Sequence, residues 1–355
     1  MELGRDILFL EKVFLRRAPA ALRGVELFNI QLLRDLHALG HRIAVPAHPS
    51  WRAVFAAQFA GLDRLAFRYG ARRGGALNLA AWAWWIARGP RRDLLLLGNV
   101  GNLLVPLVRT ARCFRKASRY VLIAHRETSP RFLAALQGWA GAIVAVNGKI
   151  AEPFRAAGCP EVHVDYGIMN ADRFFPRAEA AADAAPVRFC VVGMLDNAWK
   201  GADTATAAFR AMPEAARRRC ELHLASYSEP PRFEEPNIIA LPWMPASEVP
   251  AWLRTMDVML CPSRDEVVMR ETFSQAVVQG MLSGLPVLAS DLPIFREKLD
   301  GGGGAVFTDV ADFAAKMTAL VNDPALRARQ GREGRATALA RYVWDTARFA
   351  RRYFG

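Results

Sequence analysis

The sequence predicts an α/β protein built from two parallel-sheet domains, and three observations carry that expectation. At 355 residues the chain exceeds one ordinary core and fits two of about 150 to 200 residues. Short β-branched or leucine-rich runs alternate with amphipathic stretches, which is the pattern of parallel βαβ units. The alternation breaks once, from Asp165 to Pro176, and restarts after an alanine-rich polar stretch from Arg177 to Pro186.

In the first half the expected strands are Ile7–Leu10, Arg42–Val45, Asp93–Leu97, Tyr120–Ala124 and Ala142–Val146, with helices over Gly24–Leu39 and Arg131–Trp139. After the break a strand is expected at Val187–Val192 and a helix near Lys200–Met212. Strands Glu221–Ala225 and Ile238–Leu241, a helix Ser247–Thr255 and a strand Val258–Cys261 follow. Gly284 and Pro286 turn the chain into a buried strand, and Gly301–Gly304 reads as a flexible turn before the strand Ala305–Phe307. Beyond Pro324 the chain is helical and basic, and Tyr342 to Asp345 opens a last amphipathic piece. The expected organisation is a basic N-terminal domain over 1–172, a linker over 173–186, a second domain over 187–340, and a C-terminal helix over 341–355 that packs back on the first domain.

Composition bounds the function. Hydrophobic content of 52% with 23% charged residues is that of a globular chain, which argues against disorder and against a membrane bundle. The apolar run Ile7–Leu10 is too short for a signal-peptide core, and the stretch Leu77–Ala87 falls short of the roughly 18 residues that a spanning helix needs. Five cysteines without a C-x-x-C pair suit reduced thiols, so a cytoplasmic location is expected. The net charge of +13 lies wholly before Phe175, where 25 Lys/Arg face 12 Asp/Glu; the remainder holds 22 of each. Such a half attracts a polyanion or an anionic surface. A nucleic-acid partner would rest on charge alone, for no recognition motif accompanies it. Trp82, Trp84 and Trp85, beside Arg88, Arg91 and Arg92, read either as core with a solvated rim or as an interfacial anchor for peripheral contact with an anionic membrane.

Ligands of open α/β sheets bind at the carboxyl ends of strands, where helix N-termini offer free N–H groups and partial positive charge. Two loops of the second half have this form. The first runs from Val192 and Gly193 to Lys200 and Gly201, placing a lysine where it can neutralise a phosphate. The second follows Cys261. There Glu271 precedes Thr-Phe-Ser-Gln at a new helix; a carboxylate in that position accepts hydrogen bonds from sugar hydroxyls rather than binding phosphate. Gln279 lies about two turns further along the same helix face. Glu266 competes with Glu271, but its register to Gly284 is wrong, and it reads as a loop residue.

The series Glu271-x7-Gln279-x4-Gly284-x-Pro286-Val resembles the donor-site motif of glycosyltransferase family 4, the group 1 retaining enzymes of the GT-B fold. Gly193–Gly201 is similar to that family's phosphate loop, Tyr166–Pro176 to its domain junction, Gly24–Glu26 and Gly40–Arg42 to its first helix, and Tyr342–Trp344 to its returning C-terminal helix. The resemblance implies two Rossmann-like parallel-sheet domains facing across a cleft. It implies a nucleoside diphosphate sugar as donor, with Glu271 holding the sugar, Gln279 the ribose, Lys200 the diphosphate, the amides of Phe273, Ser274 and Gln275 the sugar and phosphate oxygens, and Trp243 and Met244 the nucleobase. His125 matches a histidine that faces the sugar in similar enzymes. Arg16, Arg17, Gly24 and Arg126 are the candidates for an anionic glycolipid or saccharide acceptor, in cell-envelope polysaccharide or glycolipid synthesis.

Two departures stand out: Gln279 replaces a second glutamate, and Met194 stands where an arginine often supports Lys200. No cofactor and no metal is expected, because a lysine and helix amides offset the charge of a leaving diphosphate. The expected reaction retains anomeric configuration, with the diphosphate oxygen helping to deprotonate the acceptor. A nucleotide-sugar epimerase of the same fold, or a non-catalytic nucleotide-sugar-binding partner, are the alternative readings.

Overall fold

The computed structural model describes residues 4–19, 22, 24–71, 75–177, 185–264 and 271–355. They form two compact units: Met1–Met169 with Asp345–Gly355, and Asn170–Trp344. Half of the linker expected over 173–186, residues 178–184, lies outside the described residues, as does Glu266.

The first unit is built on seven parallel strands: β1 (Asp6–Leu10), β2 (Arg42–Ala47), β3 (Leu65–Tyr69), β4 (Arg92–Leu97), β5 (Ala117–Ala124), β6 (Gly141–Ala145) and β7 (Glu161–Val164). They lie in the order β3-β2-β1-β4-β5-β6-β7. The central strands are apolar on both faces, as helices packed on two sides require, and the five strands expected from the sequence are all here. The edge strands β3 and β7 escaped that reading. In β3 only Leu65 is buried, and in β7 no residue is. An edge strand flanked on one side by solvent needs no continuous apolar run.

The second unit holds six parallel strands: β8 (Val187–Val192), β9 (Cys220–Tyr227), β10 (Ile238–Pro242), β11 (Val258–Cys261), β12 (Val287–Ser290) and β13 (Gly304–Phe307), in the order β10-β9-β8-β11-β12-β13. Its core gathers Phe189, Phe209, Leu222, Leu224, Phe313 and Met317 around the sheet. The run Gly301–Gly303 is the expected turn before β13, and it is also a packing surface. A Cβ at Gly303, whose φ is +103°, would stand 2.3 Å from the Cα of Gly334, so the run is the surface against which the helix Pro324–Arg341 packs. Glycine here serves close approach as well as turning.

The chain's last residues, Asp345–Gly355, return to the first unit. Asp345 caps the helix Thr346–Tyr353 by accepting from the Arg348 amide at 2.9 Å. Thr346 donates to Asp35 of the helix Gly24–Ala38 at 2.7 Å, and the Tyr353 hydroxyl donates to Asp165 at 3.0 Å. The three tryptophans divide. Trp82 is buried and donates to the Arg68 carbonyl, whereas Trp84 is 59% exposed with the Arg88 guanidinium 5.8 Å from its ring. No described helix is long and apolar enough to cross a membrane.

Tyr353 is 1% exposed and closes the seam between the returning helix and the first sheet. Tyr353→Ala is expected to cost about 3–5 kcal/mol, read as a lower urea midpoint of the transition that reports on the first unit.

Candidate functional site

Strand order in the second unit reverses between β8 and β11, the topological switch point at which open α/β sheets bind ligands. The loops leaving these two strands are joined to each other. Gly201 has φ +71° and approaches so closely that a Cβ would lie 1.9 Å from the Pro262 carbonyl oxygen, while the Arg264 amide donates to the Trp199 carbonyl at 2.7 Å. Lys200 is thereby held in a short turn before the helix Ala202–Ala211, rather than within the helix as the sequence suggested. The left-handed Gly201 interrupts the helical run.

Lys200 donates to the Glu271 carboxylate, and the Ser263 hydroxyl donates to the same oxygen at 2.9 Å. Glu271 is 5% exposed, so its charge is compensated in place by an ammonium and a hydroxyl. The Lys200 ammonium also lies 4.3 Å over the Trp199 ring. Three residues past Glu271, Ser274 sits at φ +55° and opens the helix Gln275–Leu282. The side chains of Phe273 and Ser274 are buried, Gln275 is exposed, and Gln279 is half-buried further along the same helix. Gly193, at the end of β8, lies against the stem of Lys200, whose Cε would be 3.6 Å from a Cβ placed there. Trp243 is 50% exposed just after β10, and the amide of its half-buried neighbour Met244 donates to Ser226 Oγ at 3.4 Å.

Several polar groups of this edge were not singled out by sequence. Ser263 had a readable signal, as a hydroxyl placed two residues past a strand. Ser226 had none: its φ of +82°, costly for a residue with a side chain, is imposed by the end of β9. The Asp196 carboxylate accepts from both the amide and the hydroxyl of Ser228, tying the loops after β8 and β9.

The first unit has its own switch point, between β1 and β4. His125 follows β5, is 5% exposed, and meets the rings of Phe28 and Tyr166 edge-on at 5.4 and 5.0 Å. Its Nε2 is buried without a hydrogen-bond partner among the described residues. Burial, with Lys12 and Arg126 nearby, lowers its pKa to about 3, so the ring is neutral. Arg16, Arg17 and Arg126 are exposed, and Gly24 opens the helix Gly24–Ala38.

Sequence reading passed over Glu11 and Lys12, although they directly follow the first strand. Glu11 is wholly buried, accepting from the Val13 amide at 3.0 Å and from Asn29 at 3.3 Å, and burial pushes its pKa up to about 7. Its carboxylate and the Asn29 amide occupy the space a Cβ at Gly98 would need. Lys12 forms no ion pair with a described residue. Among the described residues no three His, Cys, Asp or Glu side chains gather as a metal-binding group.

Comparison with known proteins bears on both halves. Residues 186–323 match the family model described as glycosyl transferases group 1. The matched stretch lies within the second unit. A 98-residue stretch is 37% identical to a phosphatidyl-myo-inositol mannosyltransferase of Mycobacterium leprae, spanning 27% of this chain and about a quarter, 25%, of that relative. The whole fold is similar to that of Anabaena HepE in complex with UDP, with a TM-score of 0.72 at 16% identity and 98% of each chain covered. It is also similar to the sucrose-phosphate synthase of Thermosynechococcus elongatus, with a TM-score of 0.69 at 15% identity over 98% of this chain and 97% of that one. The fold is GT-B, with two Rossmann-like parallel-sheet units.

Two measurements test these charges. Lys200→Met strands the buried Glu271 carboxylate and is expected to destabilise the second unit by about 3–5 kcal/mol; adding Glu271→Gln should recover much of that loss in a double-mutant cycle. In the first unit the pKa of Glu11 is raised from the ordinary 4.5 to about 7, so the folded state binds more protons than the unfolded state between those values. Stability of that unit should therefore fall as pH rises from 4.5 to about 7. Glu11→Gln should flatten the dependence in a pH series of thermal melts.

Proposed function

We propose that the protein is a retaining, metal-independent glycosyltransferase that moves a sugar from a nucleoside diphosphate donor to an anionic acceptor, a glycolipid or saccharide of cell-envelope synthesis. The observation that carries this reading is the Lys200–Glu271 pair at a switch point, beside the start of the helix Gln275–Leu282, inside the stretch that matches the group 1 family model.

The donor diphosphate lies against Lys200 and the amides of residues 273–275. Glu271 accepts hydrogen bonds from the sugar hydroxyls, Gln279 faces the ribose, and Trp243 with Met244 packs on the base. The bond from the anomeric carbon to the diphosphate oxygen breaks, and the bond to the acceptor oxygen forms on the same face of the sugar. The acceptor's proton passes to the departing diphosphate oxygen, whose negative charge is offset by Lys200 and the helix amides. Neutral His125 positions the sugar and is not the base. The likenesses to a mannosyltransferase and to a UDP-bound protein support a hexose donor.

The basic first unit supplies the acceptor side, through Arg16, Arg17, Gly24 and Arg126, to which the unpaired Lys12 is added. Leu77, Ala81, Trp84 and Arg88 fall at helical spacing and are all exposed on the helix Gly75–Arg88, which suits peripheral contact with the cytoplasmic face of an anionic membrane.

A thermal-shift panel of UDP-, GDP- and ADP-sugars identifies the donor, since a ligand that binds the folded state raises Tm. With that donor, Lys200→Ala or Glu271→Ala should lower transfer by about 10²–10³-fold, and chelation by EDTA should leave it unchanged. Wild-type transfer rates in either variant overturn the assignment; donor binding with neither hydrolysis nor transfer marks a binding partner instead. For the membrane face, vesicles rich in phosphatidylglycerol should bind the protein at low salt, and Trp84→Ala should weaken the binding.

A further inference from the structure

Lys298 is wholly buried in the helix Pro293–Leu299, and its Nζ has no hydrogen-bond partner among the described residues. The ammonium lies instead 4.2 Å from the centroid of the Phe273 ring and 4.1 Å from that of Tyr342. The two rings are themselves buried and meet edge-on, 6.3 Å apart at 77°. The Tyr342 hydroxyl donates to the Glu297 carbonyl at 3.2 Å, which anchors that ring to the helix carrying the lysine.

A purely structural role explains this arrangement poorly. A buried ammonium without hydrogen bonds loses its hydration, and two aromatic faces return only part of that loss. An unbranched apolar side chain of similar volume would fill the site at lower free energy. The consequence of the charge is felt at Phe273, which immediately precedes the left-handed Ser274 and follows Glu271 by two residues.

We propose that Lys298 is a positioning residue for the donor: its ammonium pins the Phe273 ring, and so holds the Glu271 carboxylate and the amides of residues 273–275 in phosphate- and sugar-binding register. The proposal rests on the donor reading given above and extends it to a residue that touches no substrate. The charged and titratable groups around the pin are Glu297, which favours the ammonium, the Tyr342 phenol, and the Arg341–Asp300 pair next to Tyr342. Burial lowers the lysine's pKa from 10.5 to about 8, so the pin weakens as pH rises through that value.

The test is Lys298→Met, followed with the donor identified by the thermal-shift panel. The expected result is an unchanged or higher Tm, together with a donor KM raised roughly tenfold at pH 7 and faster hydrogen exchange at the amides of 271–275. In the wild-type protein donor KM should climb between pH 7 and pH 9, and in the variant it should stay flat apart from any change common to both. A variant with a lower Tm, wild-type KM and wild-type exchange overturns the proposal, as does a KM ratio between the two proteins that is the same at pH 7 and pH 9. The exchange comparison needs no nucleotide: if the wild-type protein binds no nucleotide sugar, the donor reading fails, and exchange at 271–275 still decides whether Lys298 orders the loop.

Discussion

The arrangement of the second unit depends on one buried ion pair. Glu271 brings a negative charge to a place almost closed to water, and a charge so placed must be compensated by neighbours. Lys200 does so from the loop after β8 and Ser263 from the start of Glu271's own segment after β11, which joins the two segments into a single assembly. The missing Cβ of Gly201 and the amide bond from Arg264 to Trp199 close the same seam through the backbone. Because the carboxylate is already satisfied by the lysine, the amides at the start of the helix Gln275–Leu282 keep their partial positive charge for an incoming anion. Under the proposed function, donor binding would be an exchange in which the diphosphate shares Lys200 with Glu271.

The first unit solves a different electrostatic problem. Around the end of β1 its cations are left open: Lys12 has no ion-pair partner among the described residues, Arg16 and Arg126 are exposed, and burial holds His125 neutral. Glu11 brings an acidic group to the end of β1, and burial moves it toward the protonated form. A region that gathers cations, holds its histidine neutral and shifts a buried carboxyl toward the protonated form favours an anionic ligand. The +13 excess carried before Phe175 has a local expression here, at the carboxyl edge of the sheet beside its switch point.

Much of the architecture was readable from local pattern. The interior strands β1, β4, β5, β8 and β11 are covered on both faces, and each carries an uninterrupted apolar run of at least four residues. The edge strands β3 and β7 lack that signature and went unread, whereas the edge strands β10 and β13 keep short apolar runs and were expected. The spacing from Glu271 to Pro286 was legible for a similar reason: helix periodicity and a glycine turn act within one stretch of chain. Residues whose importance comes from distant neighbours were silent. Glu11 and Lys12 look like ordinary surface charges after a strand, and Lys298 looks like a solvated helix lysine between Glu297 and Leu299.

By itself, then, the sequence determined the two-sheet α/β organisation, the placement of basic charge in one half, and the order of the candidate site residues along the chain. These follow from interactions whose range is a few residues or from composition summed over a domain. Only the tertiary structure decided that Lys200 and Glu271 neutralise each other, that Ser263 shares their bond, that His125 is neutral, and that Lys298 lies between two rings. Ionisation and pairing depend on burial and on partners brought together from separate loops, and neither quantity exists until the chain has folded.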